Sequence, residues 1–198
     1  AAMEKAGADE LHIDVMDGAF VPNITMGPCI VSSIRKYTEK VFDVHLMIND
    51  PLRYIDDFAK AGADIITIHI ESCDNVKETL EYIRSKGIRS GLSIKPKTNP
   101  DSIIPYLPFT DMVLVMSVEP GFGGQGFIPT ALDSIKRVKE LITDGGYHID
   151  IEVDGGISEK NAKDVYDCGA EILVAGSAVY KHEDVAAAIK RIRDAAIS

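Results

Sequence analysis

The chain is predicted to form a parallel α/β fold, a (β/α)8 barrel in which seven βα units are legible. Three observations predict it. Short β-branched runs alternate with longer amphipathic segments, the pattern of strands that pair in parallel through helical crossovers. Seven such runs can be marked, with a helix-like segment standing ahead of the first. A weak internal repeat, Ala6-Gly-Ala-Asp, Ala61-Gly-Ala-Asp and Cys168-Gly-Ala-Glu, lies just before three of the runs. Its glycine marks where a helix C-terminus turns towards the next strand, so it reports architecture and carries no chemistry.

The elements follow in order. Residues 1–8 read as helix, and residues 11–16, in Leu11-His-Ile-Asp-Val-Met-Asp-Gly18, read as a buried strand running into a loop. Further strands are expected at 42–47, 65–70, 90–95, 112–117, 149–154 and 172–175, with periodic segments such as 51–60 and 76–86 between them. Seven units behind an opening helix fit an eight-stranded barrel without its first strand, so the chain is expected to be N-terminally truncated. Closure without that strand leaves two unpaired edges. An open doubly wound sheet is the structural alternative.

With 198 residues, 45% of them hydrophobic and 26% charged, the chain has the composition of one globular domain over residues 1–198 with a full core. Its net charge of −10 and pI near 4.9, without a basic cluster, argue against nucleic acid or an anionic membrane as partner. Cys29, Cys73 and Cys168 are far apart and form no CxxC pair, so neither a disulfide framework nor a thiolate zinc site is suggested. Reduced cytoplasm is the expected compartment. No apolar stretch reaches membrane-spanning length.

Chemistry in such folds collects at the C-terminal ends of the strands. Asp14 and Asp154 both sit there, each followed closely by glycine. His12 and Asp14 are two apart, so both point to the same face of their strand, a spacing that suits a metal chelate. One such pair is more often a buried ion pair or a hydrogen-bonded core histidine. His45, at the end of the next strand, and Asp154 complete a set of two histidines and two carboxylates from three strands. That donor set suits zinc, iron(II), manganese or cobalt better than calcium.

Glycine-rich groups end three consecutive strands: Glu119-Pro-Gly-Phe-Gly-Gly-Gln-Gly126, Gly155-Gly156 and Gly176-Ser177. Each alone is more often a tight turn than a ligand site. Together they offer backbone N–H groups where barrels commonly bind phosphate, so a phosphorylated metabolite is expected. Lys95, in Leu92-Ser-Ile-Lys-Pro96, could form a Schiff base, although such a lysine is more often electrostatic or structural. His69 and Glu71 are expected behind the ligand set. Met16, Met47 and Met116 are placed to line the pocket, core filling being the commoner role of methionine. Asp17 reads as a turn residue.

The segments at 11–27 (Leu11 to Gly27 through Asp17-Gly-Ala-Phe-Val-Pro-Asn-Ile-Thr-Met), Asp43-Val-His-Leu-Met47, Val115-Met-Ser-Val-Glu-Pro-Gly-Phe-Gly-Gly-Gln125, Glu152-Val-Asp-Gly-Gly-Ile157 and Ala175-Gly-Ser-Ala178 together resemble the ribulose-phosphate 3-epimerase family over nearly the whole chain. The resemblance implies a (β/α)8 TIM barrel with His12, Asp14, His45 and Asp154 as ligands of one divalent cation. It implies Asp14 and Asp154 as the acid/base pair, and a phosphorylated ketopentose as substrate. Substrate contacts would come from His45, Gly121, Phe122, Gly123, Gly124, Asp154, Gly155, Gly156, Gly176 and Ser177. It further implies a homo-oligomer, a dimer or hexamer.

Inverting a hydroxyl-bearing carbon beside a ketone removes a proton from one face and returns one to the other. Two acid/base groups must therefore flank the substrate, and the second and seventh strands of a barrel lie far enough apart to supply them. Three departures from the family pattern are visible. The family's first strand, with its substrate-contacting serine, lies ahead of Ala1, Ala19 stands where histidine is often found, and Gly126 replaces a larger residue. Competing readings are 3-epimerisation of allulose 6-phosphate, a metal-free Lys95 aldolase-type lyase, and a sugar-phosphate-binding protein without catalysis.

Overall fold

A computed structural model describes residues 2–198; Ala1, the first residue of the expected opening helix, lies outside the described residues. Seven strands form one sheet in sequence order, and every neighbouring pair is parallel. They are β1 (Glu10–Met16), β2 (Val41–Met47), β3 (Ile65–His69), β4 (Arg89–Ile94), β5 (Met112–Met116), β6 (Asp150–Asp154) and β7 (Ile172–Val174). Among the described residues eight α-helices accompany them: α1 (Ala2–Lys5), α2 (Pro28–Arg35), α3 (Ile55–Ala61), α4 (Val76–Ser85), α5 (Ala131–Asp144), α6 (Ala162–Asp167), α7 (Ser177–Tyr180) and α8 (Val185–Ile197). Residues of both outer strands, among them Leu11 and Leu173, line one shared cavity, so the sheet curls into a nearly closed barrel. The expected barrel is thus observed, and among the described residues β1 and β7 each have a neighbour on one side only.

The alternation of each strand sorts its side chains. Phe42, Val44 and Leu46 of β2 face outward into the main apolar core beneath the helices, with Ile66, Ile68, Val113, Val115, Ile151 and Val153 of the other strands. Full burial of each such side chain stabilises the fold by roughly 1.5–3 kcal/mol. The intervening residues Asp43, His45 and Met47 point inward, and register aligns His12 with Asp43, Asp14 with His45 and Met16 with Met47. Met16, Val21 and Met47 form a separate small apolar cluster, as do Leu114, Met116 and Val118. On β1 and β2 the inward positions therefore pass from polar to apolar towards the strand ends.

Several bounds differ from expectation, for physical reasons. The segment at 51–60 divides into a 3₁₀ turn at Pro51–Tyr54 and α3, because Asp50 takes a left-handed φ of 50° and Pro51 opens the turn. Residues Pro100–Phe109 form a 3₁₀ helix, since Pro105 and Pro108 lack the N–H an α-helix needs there. The expected helix at the start closes after Lys5, the chain turning at Gly7. Gly7, Gly62 and Gly169 all take positive φ at helix ends, as the repeat predicted. Arg193 of α8 donates to the Gly7 carbonyl at 2.8 Å and to Asp9 at 2.7 Å, joining the two ends of the chain. No helix among the described residues is long and apolar enough to cross a membrane, and Cys29, Cys73 and Cys168 are free thiols.

Candidate active site

A cavity of about 600 Å³ runs along the open side of the sheet between β1 and β7 and reaches the C-terminal ends of the strands. His12 and Asp14 enter it from β1 and Asp154 from β6, while His45 of β2 is fully buried beside His12 and Asp14. One donor atom from each of these four lies within 4.8 Å of every other. His12 Nε2 is 3.3 Å from His45 Nδ1 and 3.3 Å from Asp14 Oδ1, and His45 Nδ1 is 3.2 Å from that same oxygen. Ligands about 2.1 Å from one cation at tetrahedral angles stand about 3.4 Å apart. The donor set and its spacing therefore fit a transition-metal dication, and calcium is disfavoured by the two imidazoles.

Electrostatics divide the two aspartates. Burial raises the Asp14 carboxyl, but His12 and His45 beside it overcome this and hold it well below the usual carboxylate range. Burial pushes Asp154 up; His12 opposes the rise and the Asp14 charge adds to it. The two carboxyls are thus pushed in opposite directions, the asymmetry an acid/base pair uses. Burial disfavours charge on His12 as well, yet the Asp43 and Glu152 carboxylates carry its pKa well above the ordinary value.

Asp43 and Glu152 went unassigned in the sequence, and the structure places both directly beneath the ligand set. His12 Nδ1 hydrogen-bonds Asp43 and lies 3.3 Å from Glu152 Oε1. Asp43 in turn accepts from the Thr67 hydroxyl at 3.2 Å. Burial, with Asp43 adding, pushes Glu152 up to about 8. The signal was available: Asp43 stands two before His45 and Glu152 two before Asp154, hence on the same faces one layer deeper.

His69 and Glu71 lie behind His45, as expected. His45 Nε2 is 2.9 Å from His69 Nε2, and His69 Nδ1 is 3.2 Å from Glu71 Oε2. Asp17 is a turn residue, accepting from the N–H groups of Ala19, Phe20 and Asn49. The Lys95 ammonium sits 3.8 Å above the Phe20 ring and is not among the residues lining the cavity, which gives a Schiff-base role no geometric support.

The remaining expected residues line the cavity: Met16 and Met47 from one apolar cluster, Met116 from another, and Gly121, Phe122, Gly123, Gly124, Gly155, Gly156, Gly176 and Ser177 from the loops. Gly156 has φ +66°, and a Cβ there would lie 2.5 Å from the Phe127 nitrogen, so only glycine lets the two loops pack. Ser117 donates its hydroxyl to the Gly155 carbonyl at 2.7 Å. Asn23 reaches from the loop after β1 to the Gly121 carbonyl at 2.9 Å, and Gln125 clips its own loop through Glu119 and Phe122 carbonyls. These three polar clamps, built on loop conformation, carried no sequence signal.

A profile of the Ribulose-phosphate 3 epimerase family matches residues 1–180. The chain belongs to this family. It is 48% identical over 195 residues to the ribulose-phosphate 3-epimerase of Synechocystis, covering 98% of this chain and 85% of the relative. The Bacillus subtilis ribulose-phosphate 3-epimerase is 49% identical over 192 residues, covering 96% and 88% respectively. A chloroplastic relative from Arabidopsis thaliana is 46% identical over 194 residues, covering 97% of this chain and 69% of its own length. Among solved structures, a 3-hexulose-6-phosphate synthase superposes with a TM-score of 0.68 at 18% identity over 93% of this chain and 98% of the other. That likeness identifies the barrel fold of the family member described here.

Proposed function

We infer that this family member catalyses metal-dependent 3-epimerisation of D-ribulose 5-phosphate to D-xylulose 5-phosphate by two-base proton transfer through an enediolate. The observation that carries the reading is the convergence of His12, Asp14, His45 and Asp154 from three strands within 4.8 Å of one another. Membership in the epimerase family supports it.

Asp14, held ionised by its two histidines, takes the proton from one face of the carbon beside the ketone. Asp154, whose pKa burial raises, delivers one from the other face. Carbon inverts, and the two carboxyls end with exchanged protonation, ready for the reverse reaction. A divalent cation held by His12, Asp14, His45 and Asp154 would supply positive charge against the developing enediolate, an effect worth several kcal/mol. Met16, Met47 and Met116 exclude water from the reacting carbon. The glycine groups at 121–124, 155–156 and 176–177 offer backbone N–H groups to the phosphate and sugar oxygens. A cytoplasmic setting, consistent with three free thiols, and a homo-oligomer complete the proposal.

The test is metal content and conversion of ribulose 5-phosphate measured on one purified sample, with allulose 6-phosphate as competing substrate. Metal-dependent conversion of the pentulose, faster than of the ketohexose, is expected. Equal turnover after metal removal, or preference for the ketohexose, overturns this reading.

A further inference from the structure

His45 differs from His12 in what holds its second ring nitrogen. His12 leans directly on the Asp43 carboxylate, whereas His45 leans on another imidazole, that of His69. Both His45 and His69 are fully buried, so solvent does not complete their hydrogen bonding. Two neutral imidazoles facing each other through nitrogen need one donor and one acceptor. Which is which follows from the far end of the chain of contacts.

Glu71 is fixed from two directions. Its Oε1 accepts from the Lys95 N–H at 2.9 Å and from the Thr98 hydroxyl, both at the end of β4. Its Oε2 faces His69 Nδ1 at 3.2 Å. A carboxylate only accepts, so His69 Nδ1 carries the hydrogen, and a neutral His69 then has a bare Nε2. That nitrogen, 2.9 Å from His45 Nε2, accepts a hydrogen from it. His45 Nδ1, 3.3 Å from His12 Nε2 and 3.2 Å from Asp14 Oδ1, is left with a lone pair for a cation held among the three. Phe20 covers His69 at 4.9 Å between ring centroids and is itself capped by Lys95.

We propose that His69 and Glu71 are positioning residues, which lock His45 in the Nε2–H tautomer and aim its Nδ1 lone pair at the cation site. The relay ties a ligand on β2 to the loop after β4 through two strands' ends. It rests on the metal-dependent reading above. Partners on the non-ligating nitrogen of a metal-bound histidine typically govern metal affinity by 10- to 100-fold.

The experiment uses the full chain with zinc as probe. Zinc affinity is measured by competition with a chromogenic chelator for the unaltered chain, His69→Leu, His69→Gln and Glu71→Ala. Long-range ¹H–¹⁵N spectra of the zinc-free chain report the His45 tautomer. Roughly 10- to 100-fold weaker zinc binding is expected in His69→Leu, with mixed tautomers at His45. His69→Gln, whose amide oxygen can accept from His45 Nε2–H, recovers affinity to within about threefold of the unaltered chain. If His69→Leu does not fold, Glu71→Ala decides with the same two readouts. Unchanged zinc affinity and an unchanged tautomer in a folded variant overturn the proposal. If the unaltered chain binds no zinc, the metal reading fails, and the zinc-free tautomer alone decides for or against the relay.

Discussion

His12 meets Asp43 through Nδ1 and lies 3.3 Å from Asp14 through Nε2, so one imidazole joins a buried carboxylate to the mouth of the barrel. Asp43 is 1% exposed, and Thr67 fixes its other oxygen. The ring is therefore oriented from below before any ligand arrives, with Nε2 presented to the site. A carboxylate behind a metal-binding histidine also makes that histidine a stronger donor.

Asp43→Asn tests this arrangement. The amide keeps the shape but loses the charge that orients His12, and divalent-metal affinity is expected to fall roughly 10- to 100-fold. Chelator competition measures it, with circular dichroism to establish that the variant is folded.

Gly156→Ala is expected to destabilise the chain by about 1–3 kcal/mol, from a left-handed φ and overlap with the Phe127 backbone. Urea unfolding of the two proteins gives the difference. A value below about 0.5 kcal/mol would mean that the loops after β5 and β6 do not pack as described.

The pH dependence of stability carries the signature of Glu71. Burial raises its pKa, but hydrogen bonds from His69, the Lys95 N–H and Thr98 prevail and bring it from 4.5 to about 2. A carboxyl lowered on folding stabilises the folded state above its unfolded pKa and loses that contribution as pH falls. Roughly 2–3 kcal/mol should thus disappear between pH 4.5 and 2, part of the full shift being screened by solvent. In Glu71→Gln, chemical denaturation across that window should show a correspondingly flatter profile.

The barrel was legible because alternation sorts each strand: Phe42, Val44 and Leu46 outward, Asp43, His45 and Met47 inward. The four-group cluster was legible for the same reason, since His12, Asp14, His45 and Asp154 occupy inward positions near strand ends. Asp43 and Glu152 obey that rule too, one inward position below His45 and Asp154, where alternation alone does not separate a supporting carboxylate from a ligand. The Asn23 and Gln125 clamps obey no periodicity. They depend on how the loops after β1 and β5 meet in space, which spacing along the chain does not encode. The 3₁₀ helix at Pro100–Phe109 shows a second limit, where the placement of two prolines overrides apolar patterning.

The most direct test of two-base inversion is solvent exchange at C3 in deuterium oxide, with metal content measured in the same samples. The unaltered chain should give epimerised product carrying solvent deuterium at that carbon. Metal-loaded Asp14→Asn and Asp154→Asn should each invert roughly 10²- to 10⁴-fold more slowly, while still exchanging the hydrogen of one epimer, a different one in each variant. Inversion at near-parental rates in both variants would contradict the account.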